Sequence, residues 1–245
     1  MTLQSIPIRI SPANIKASCS ACTLHELCLP MGLSLDDTEQ LDKIISCRRK
    51  LLRGDYLYRA GDSFRSLYAI RNGFFKIFEL DEDGCEKITG FYMAGELLGM
   101  DAISDDQHHY HAIALEDSTV CELPFAELEH LTSAVPALQH HFHKLMSREI
   151  LADQGHMLSL GKMKAEQRLA AFLLSLSQRL ALRGYSPTHF YLRMTREEIG
   201  NYLGLTLETI SRTFTRLQED GLMTIHHRDL ELHDLPRLKK MLNHC

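Results

Sequence analysis

Long hydrophobic runs are absent from this sequence, as are several other features that would place it in a special class. No stretch approaches eighteen consecutive apolar residues, so no membrane-spanning helix and no membrane partner are expected. The first residues, MTLQSIPIRISPANIK, lack a basic start, an apolar run and a small-residue cleavage site, which predicts a cytoplasmic protein without a secretory signal. Glycine and proline are few, at 14 and 7, and the composition is that of an ordinary globular protein.

Motifs of catalysis are absent as well. The sequence has no glycine-rich phosphate loop and no HExxH motif, and its 14 histidines show no catalytic spacing. We therefore expect that the protein is not an enzyme. A DNA-binding assay would distinguish an enzyme from a DNA-binding protein. Two histidine-rich stretches, at residues 108–111 and 140–143, are interpreted as solvated surface rather than as a metal or haem site.

Charge is distributed unevenly along the chain, whose net charge is −5. Residues 161–245 carry 13 Lys and Arg against 9 Asp and Glu, whereas residues 1–160 carry 14 against 23. A basic last part favours contact with a polyanion such as DNA. Chance variation in surface charge explains the same asymmetry equally well.

Seven cysteines, an odd number, argue against a disulfide framework. Cys19, Cys22 and Cys28 lie close together in sequence, and Cys121 lies far from them. Four thiolates suit an iron–sulfur cluster and also suit zinc, so the spacing by itself leaves a cluster, zinc or no metal open. The remaining cysteines are interpreted as ordinary thiols: Cys47, Cys85 and Cys245.

Residues 48–125 show the pattern of an all-β module. Short apolar runs such as SLYAI, FFKIFEL and KITGFYM alternate with turn signals that include Asn72-Gly73 and Asp83-Gly84. Turns at intervals of about 8–12 residues predict an antiparallel sandwich or barrel. Before this module, residues 35–46 have apolar side chains at helical spacing and predict a short amphipathic helix.

A long helix is predicted from Pro136 to about residue 160, since proline is accepted in the first turn of a helix. One stripe recurs at the three-and-four spacing of a coiled coil, which favours pairing with a second copy over a face buried within one chain. The residues of this seam are His143, Met146, Ile150, Asp153 and Met157.

Asp153 is unusual in such a seam, where an apolar residue is expected. In a symmetric dimer its two copies repel each other unless one is protonated. We interpret Asp153 as weakening the dimer so that association can be switched. The alternative is that Asp153 points to solvent at the flank of the seam.

Two helical segments joined by a glycine turn follow in the last part of the chain. Thr195, with Glu198 three residues later, predicts a capping box, and the first segment stops at Gly204. Thr206 is placed to cap the second segment, which has a buried stripe. This is the pattern of a helix-turn-helix.

The N-terminal half of the second helix is predicted to enter the major groove of DNA. Arg212 can bond a guanine edge, Glu208 can accept from a cytosine amino group, and Ser211 can serve either role. Phosphate contacts are predicted for four further residues near the helix ends: Thr195, Arg196, Thr206 and Arg216.

Several stretches resemble a known family: SLYAIRNG, KITGFYMAGELLG, ALEDSTVCELPF, LMSREI, RLAAFLLSLSQR and TREEIGNYLGLTLETISR. Together with the order of the predicted modules they resemble the CRP/FNR superfamily of bacterial transcription regulators, specifically its oxygen-responsive FNR branch. The resemblance implies an α+β fold with an N-terminal β-roll (jelly roll) like that of cyclic-nucleotide-binding domains, a long dimerisation helix and a C-terminal winged helix-turn-helix. We divide the chain accordingly into a cysteine-rich cluster-binding segment (1–34), a sensor domain (35–134), a dimerisation helix (135–160) and a DNA-binding domain (161–245).

The resemblance also implies a 4Fe–4S cluster ligated by Cys19, Cys22, Cys28 and Cys121. It implies an oxygen-responsive activator or repressor that binds palindromic TTGAT-type DNA as a homodimer while the cluster is intact. The alternative is the same scaffold sensing nitric oxide or redox state through a different metal centre, such as zinc or haem. RNA polymerase is the further partner implied, through the turn formed by Asp83, Gly84, Cys85 and Glu86.

Cyclic nucleotide is not expected as a ligand. The members of the superfamily that bind cyclic nucleotide resemble this chain at Gly95-Glu96. They carry an Arg-Ser pair where this chain has Tyr110-His111. No fixed cation is then left at this place to neutralise a cyclic phosphate. His143 is a second departure, because the family usually has an apolar residue at this seam position.

Overall fold

The structure is a computed structural model that describes residues 18–45 and 47–242. The cysteine-rich segment is therefore described from Ser18 onward. Cys245 and the side chain of Cys47, both interpreted as ordinary thiols, lie outside the description. The predicted boundaries between domains stay predictions. Among the helices of the described ranges, none is both long and apolar enough to span a membrane.

The described residues form helices and strands in two groups. Strands β1 to β8 are Cys47–Leu51, Tyr56–Tyr58, Ser66–Asn72, Phe74–Leu80, Glu86–Met93, Leu97–Leu98, His111–Ala114 and Ser118–Pro124. Helices α1 to α7 are Leu35–Ile44, Phe125–Ala134, Pro136–Lys162, Ala165–Leu182, Arg196–Tyr202, Leu207–Glu219 and Leu235–Leu242. Strands β9 to β11 are His189–Tyr191, Met223–His226 and Asp229–Leu232.

Strands β1 to β8 form two antiparallel sheets, ordered β1-β8-β3-β6 and β2-β7-β4-β5. Ile70 and Val120 from the first sheet and Phe75 from the second are buried in one cluster between them, because alternate residues of a strand face the same side. Gly73 joins β3 to β4 with a φ of 100°, and a Cβ there would lie 2.0 Å from the Ser118 hydroxyl oxygen. Only glycine fits this turn. The predicted antiparallel β module is confirmed.

Helix α3 begins at Pro136 and ends at Lys162, so the predicted long helix is confirmed. Its first turns are anchored by Leu138 and Phe142, which are buried in a cluster with Leu128 of α2 and Leu41 of α1. The later turns extend away from this cluster towards the C-terminal group of elements. The helix therefore connects the end of the β-roll that carries the cysteines to the last part of the chain.

Helices α4 to α7 and the sheet β10-β11-β9 form a winged helix-turn-helix. The Thr195 hydroxyl accepts from the Glu198 N–H, and the Glu198 carboxylate accepts from the Thr195 N–H, so the predicted capping box is confirmed. Gly200 lies where α5 approaches the turn, and a Cβ there would lie 2.9 Å from the carbonyl oxygen of Leu205. The close turn between α5 and α6 therefore requires glycine.

The two groups of elements share one hydrophobic cluster. Phe91 of β5 contacts Phe172 of α4 and Tyr202 of α5, with ring centroids 6.0 and 5.3 Å apart. Helices α4 and α5 therefore pack directly on β5, which the sequence pattern did not predict.

The interpretation of both histidine-rich stretches as solvated surface is wrong for His108 and His141. His108 is 3% exposed and stacks on Tyr58, with ring centroids 3.7 Å apart. His141 is 5% exposed, and its Nε2 lies 3.2 Å from the carbonyl oxygen of Cys28. Neither burial was visible in the sequence, because adjacent residues of helix α3 face different sides and His108 lies in the irregular segment before β7, where no period applies.

Candidate DNA interface and cysteine site

The N-terminal half of α6 presents the residues predicted to read bases. The side chains of Glu208 and Arg212 are 70% and 78% exposed, and Ser211 is half-buried. Arg212 donates a hydrogen bond to Glu208 one helical turn earlier. An exposed pair of this kind contributes at most about 1 kcal/mol, so DNA can separate it at little cost. The arrangement can present one donor group and one acceptor group to base edges.

The two threonines predicted to contact phosphates are both helix caps. The hydroxyl of Thr195 accepts from the Glu198 N–H, and that of Thr206 accepts from the Thr209 N–H at 3.2 Å. Each cap uses one of the two lone pairs of the hydroxyl oxygen, and a phosphate, which accepts hydrogen bonds, does not need the other. A phosphate contact by either hydroxyl has to be made through its own O–H group.

The two arginines predicted to contact phosphates also have partners within the chain. Arg196 lies over the ring of Phe214, 5.3 Å from its centroid. Arg216 donates to Glu166 of α4 at 2.7 Å and is largely exposed. Both phosphate contacts stay predictions.

The four cysteines predicted as metal ligands line one cavity: Cys19, Cys22, Cys28 and Cys121. The first three lie on a loop folded by its own backbone, in which the Cys22 N–H donates to the Cys19 carbonyl at 3.0 Å. A short 3₁₀ helix, His25–Leu27, then leads the chain back to Cys28. Cys121 lies in the middle of β8. The structure thus brings together thiols that are distant in sequence.

Asp42 of α1 anchors the beginning of this loop and was not identified from the sequence. Its carboxylate accepts from the backbone N–H of Cys19 and from the hydroxyls of Ser18 and Ser20. Asp42 follows Cys19 by 23 residues, so only the packing of α1 beside the loop reveals this role. The contact fixes the position of the first cysteine.

Burial disfavours the thiolate form of three of these cysteines. It raises the pKa of Cys28 to about 12, partly opposed by a hydrogen bond involving the Leu29 backbone. Burial also raises the pKa values of Cys19 and Cys121. The thiols of Cys19, Cys28 and Cys121 are therefore neutral near pH 7, and a metal that binds them has to displace their protons.

The donor set fits an iron–sulfur cluster in kind, since four cysteines from a loop and a strand line one cavity. The cavity between the loop and Cys121 has a volume of about 30 Å³, which is room for no more than a few water molecules. Within residues 18–45 and 47–242, no three His, Cys, Asp or Glu side chains are arranged to hold one metal ion. Ligation of a cluster would therefore require the loop to move outward from Cys121.

The later turns of α3 carry an exposed apolar stripe. We define the α3 stripe as Ile150, Leu151, Met157 and Leu158, which are between 57% and 64% exposed. Ile150 and Met157 belong to the predicted seam, whereas Leu151 and Leu158 extend it to one side. Of the other predicted seam residues, His143 is exposed and Met146 is half-buried. An exposed apolar stripe of this kind is typical of a surface used for association.

Asp153 lines the groove between α3 and the rest of its own chain, at the edge of the α3 stripe. Beside it, the ring of His156 stacks on Tyr202 of α5 with centroids 4.0 Å apart, and Tyr92 donates to Glu149. Burial raises the pKa of Asp153, and His156 opposes this. The interpretation of Asp153 as a repulsive seam residue stays a prediction, as does the alternative at the flank.

The turn between β4 and β5 contains the predicted polymerase contact: Asp83, Gly84, Cys85 and Glu86. The first three residues are exposed, whereas Glu86 pairs with Lys76. Lys76 also contacts Glu198 of α5 at 3.2 Å. Asn201 of α5 donates to the Glu86 carbonyl at 2.7 Å. The turn is thus tied to the first helix of the helix-turn-helix.

Known families match both parts of the chain. The Crp-like helix-turn-helix domain matches residues 167–241, and the cyclic nucleotide-binding domain matches residues 48–134. The transcriptional regulatory protein btr of Bordetella pertussis is 46% identical over 226 residues, which cover 92% of this chain and 93% of that protein. The fumarate and nitrate reduction regulatory protein of Escherichia coli is 44% identical over 236 residues, with 96% and 94% covered. The chain belongs to the CRP/FNR family of transcription regulators.

The solved structure of FixK2 from Bradyrhizobium japonicum has the same CRP/FNR fold. It is 27% identical to this chain with a TM-score of 0.73, covering 79% of this chain and 96% of that one. The family consists of DNA-binding regulators and not of enzymes. The predictions of the family, of the fold class and of a protein that is not an enzyme are confirmed.

In this CRP/FNR-family chain, Glu96 clamps the β-roll to the DNA-binding domain. Arg179 of α4 donates to Glu96 with two nitrogens, and Arg183 donates to it at 2.7 Å. Arg179 also donates to the Phe91 carbonyl at 2.7 Å. Burial disfavours the charge on Arg179, but the paired Glu96 outweighs this and raises its pKa. The sequence pattern showed neither arginine as a partner of Glu96.

Glu96→Gln is expected to lower the free energy of unfolding by about 2 kcal/mol, because two partly buried guanidinium groups lose their shared counter-charge. The measurement is urea denaturation of the purified protein. Glu166→Gln is the matched control, since it removes one carboxylate from the exposed pair with Arg216 and should cost less than about 1 kcal/mol. Equal losses in the two variants would contradict a clamp at Glu96.

Proposed function

We propose that this protein is an oxygen-responsive transcription regulator that holds a 4Fe–4S cluster on Cys19, Cys22, Cys28 and Cys121. It binds palindromic TTGAT-type DNA as a homodimer while the cluster is intact, and it activates or represses transcription. The observation that carries the proposal is that the three loop cysteines and Cys121 line one cavity. The 44% identity to a fumarate and nitrate reduction regulatory protein supports it.

The contacts of the cysteine loop with α3 support a coupling between the two sites. When bound, the cluster supplies an oxygen-labile link between the loop and β8. Leu29, next to Cys28, is buried in the same cluster as Leu138 of α3. The His141 ring of α3 also meets the Cys28 carbonyl. A movement of the loop therefore changes the packing of the first turns of α3.

The α3 stripe supports the homodimer. Pairing two copies of the stripe would remove eight large apolar side chains from water, a gain proportional to the buried apolar area. Two recognition helices held about 34 Å apart would reach successive major grooves on one face of the DNA. In this proposal the repulsion between the two copies of Asp153 keeps the dimer weak, and ordering of the cysteine loop offsets that repulsion.

Ile150→Glu is expected to convert the anaerobic dimer to a monomer and to weaken binding to a full palindrome by about 100-fold, because only one half-site is then engaged per chain. Sedimentation gives the oligomeric state, and fluorescence anisotropy gives the affinity. Ser133→Glu adds the same charge at an exposed site on α2 and should change neither. If the Ile150→Glu protein is still a dimer, α3 is not part of the dimer interface.

The direct test of the proposed function is purification without air. We expect a brown protein with about four iron atoms per chain that binds a TTGAT palindrome and loses this binding in air. Zinc in place of iron, a haem spectrum, or DNA binding unaffected by air would reject the oxygen-sensing cluster. A response to nitric oxide alone would favour the alternative signal on the same scaffold.

Two further parts of the proposal concern ligand and partner. The pairing of Glu96 with Arg179 and Arg183, and the presence of Tyr110-His111, support the absence of cyclic nucleotide binding. The exposure of Asp83, Gly84 and Cys85 supports a contact of this turn with RNA polymerase. A cytoplasmic location follows from a role on chromosomal DNA.

A further inference from the structure

Cys121 differs from the three loop cysteines in its surroundings. It lies in β8 between two strands, directly opposite Arg48 of β1 and Ala69 of β3. The pairing of β3 with β8 shifts register between Ile70 and Asn72, and this irregularity contains Arg71. Two arginines from the two flanking strands therefore lie beside Cys121, the one of the four predicted ligands that lies in a sheet.

Arg71 borders the cysteine cavity itself. Arg71 lines this cavity together with Cys19, Cys22, Cys28 and Cys121. Among the charged residues that line the cavity it is the permanent cation, because His25 is neutral unless protonated. A ligand set of four thiolates placed in this cavity would have the Arg71 guanidinium at its edge.

Arg48 carries an unusual buried atom. Its Nε is buried and has no hydrogen-bond partner among the residues that the structure describes. A buried donor left without a partner costs about 1–3 kcal/mol, and more when the group is charged. Such an atom calls for a reason beyond folding. Its cross-strand neighbour is Cys121, and both Arg48 and Arg71 act electrostatically on that sulfur.

Near Cys19, by contrast, the charged side chain is the negative Asp42. Asp42 binds the Cys19 N–H and two serine hydroxyls, so it anchors the loop by its backbone and brings a negative charge close to Cys19. An iron–sulfur cluster with four thiolates is a net anion, and burying an anion is costly without counter-charge. Counter-charge is available on the β8 side and not at Asp42.

We infer that Arg48 and Arg71 are positioning residues that offset the negative charge of cluster-ligated Cys121. The inference rests on the proposed function and adds to it the residues that keep the fourth ligand attached. Outer residues that act on metal ligands change affinity by about 10- to 100-fold when they are replaced. The rigid strand with its two arginines is then the fixed side of the site, and the loop is the side that moves.

The test is the rate at which anaerobic protein loses its visible absorption to an excess of EDTA, a ligand exchange that involves no oxygen. Arg71→Gln and Arg48→Gln are each expected to lose the absorption about tenfold faster than the parent protein. Arg71→Lys keeps the positive charge and should stay within about threefold of the parent protein. Lys50→Gln, a control two residues from Arg48 on β1, removes an exposed positive charge and should have no effect.

A second measurement separates a structural role from a role at the cluster. Urea denaturation of the metal-free proteins should show Arg71→Gln and Arg48→Gln within about 1 kcal/mol of the parent, because Arg48 gives up an unpartnered buried donor. If both glutamine variants lose their visible absorption to EDTA at the rate of the parent protein, the inference is overturned and the proposed function stands. The inference would also be overturned if the metal-free glutamine variants were so much less stable than the parent that their lower stability explained the faster loss of absorption. A parent protein without iron would reject the proposed function itself.

Discussion

Cys121→Ser is expected to give a colourless protein with well under one iron atom per chain, where the parent protein purified without air holds about four. Serine keeps the size of the side chain but does not supply the thiolate on which the rigid side of the site depends. The remaining thiols lie on the loop, which has no other ligand from the sheet. Iron analysis and the visible spectrum give the result.

The same variant is expected to bind a TTGAT palindrome about 100-fold more weakly than the anaerobic parent, since two half-sites are no longer engaged together. Cys85→Ser is the matched control, because Cys85 is exposed in the turn between β4 and β5. That variant should keep its colour, its iron and its affinity for DNA. A brown Cys121→Ser protein with four iron atoms would show that the fourth ligand is elsewhere.

Arg212→Ala is expected to lose about 1–3 kcal/mol of discrimination at one guanine of each half-site, because a bidentate contact from the guanidinium to that base is removed. Its pairing with Glu208 adds a second consequence. In the variant, the Glu208 carboxylate is left without its neighbouring positive charge close to DNA phosphates. Overall affinity should therefore fall further than the loss of one base contact alone.

The comparison that isolates base reading is Arg216→Ala, the same substitution about one turn later on α6. Arg216 is predicted to contact phosphate, so its loss should weaken binding to every sequence alike and reduce the salt dependence. Binding titrations on a set of half-site variants distinguish the two. An unchanged order of sequence preference in Arg212→Ala would refute its base-reading role. The double variant Glu208→Ala/Arg212→Ala measures how much the freed carboxylate contributes.

Local features of the fold were predictable because their causes are local. The capping box of Thr195 and Glu198, the glycine turn and the amphipathic spacing of α6 depend on residues within one or two turns of each other. The proline start of α3 and the glycine turns of the β-roll are equally local. For these elements the structure confirmed the predicted type and, within a few residues, the predicted ends.

Burial and direction of polar side chains were not predictable in the same way. His108 and His141 have exposed polar neighbours in the sequence, yet both are buried, His141 by the packing of α3 and His108 by that of the irregular segment before β7. Asp153, predicted in the seam, lines a groove beside His156 together with the seam residues Ile150 and Met157, a neighbourhood that the heptad spacing did not show. A heptad pattern covers a broad arc of a helix, and only the position of the neighbouring elements decides which part of the arc faces them.

The cysteines, where the sequence was most specific, show the division most clearly. The sequence alone determined which thiols are available and that one of them is far from the other three. Only the tertiary structure decided that all four share a cavity, that Asp42 anchors the loop and that Arg48 and Arg71 flank Cys121. The clamp of Glu96 by Arg179, 83 residues away, is of the same kind. Such contacts depend on how whole sheets and helices pack, and no local spacing in the chain encodes that packing.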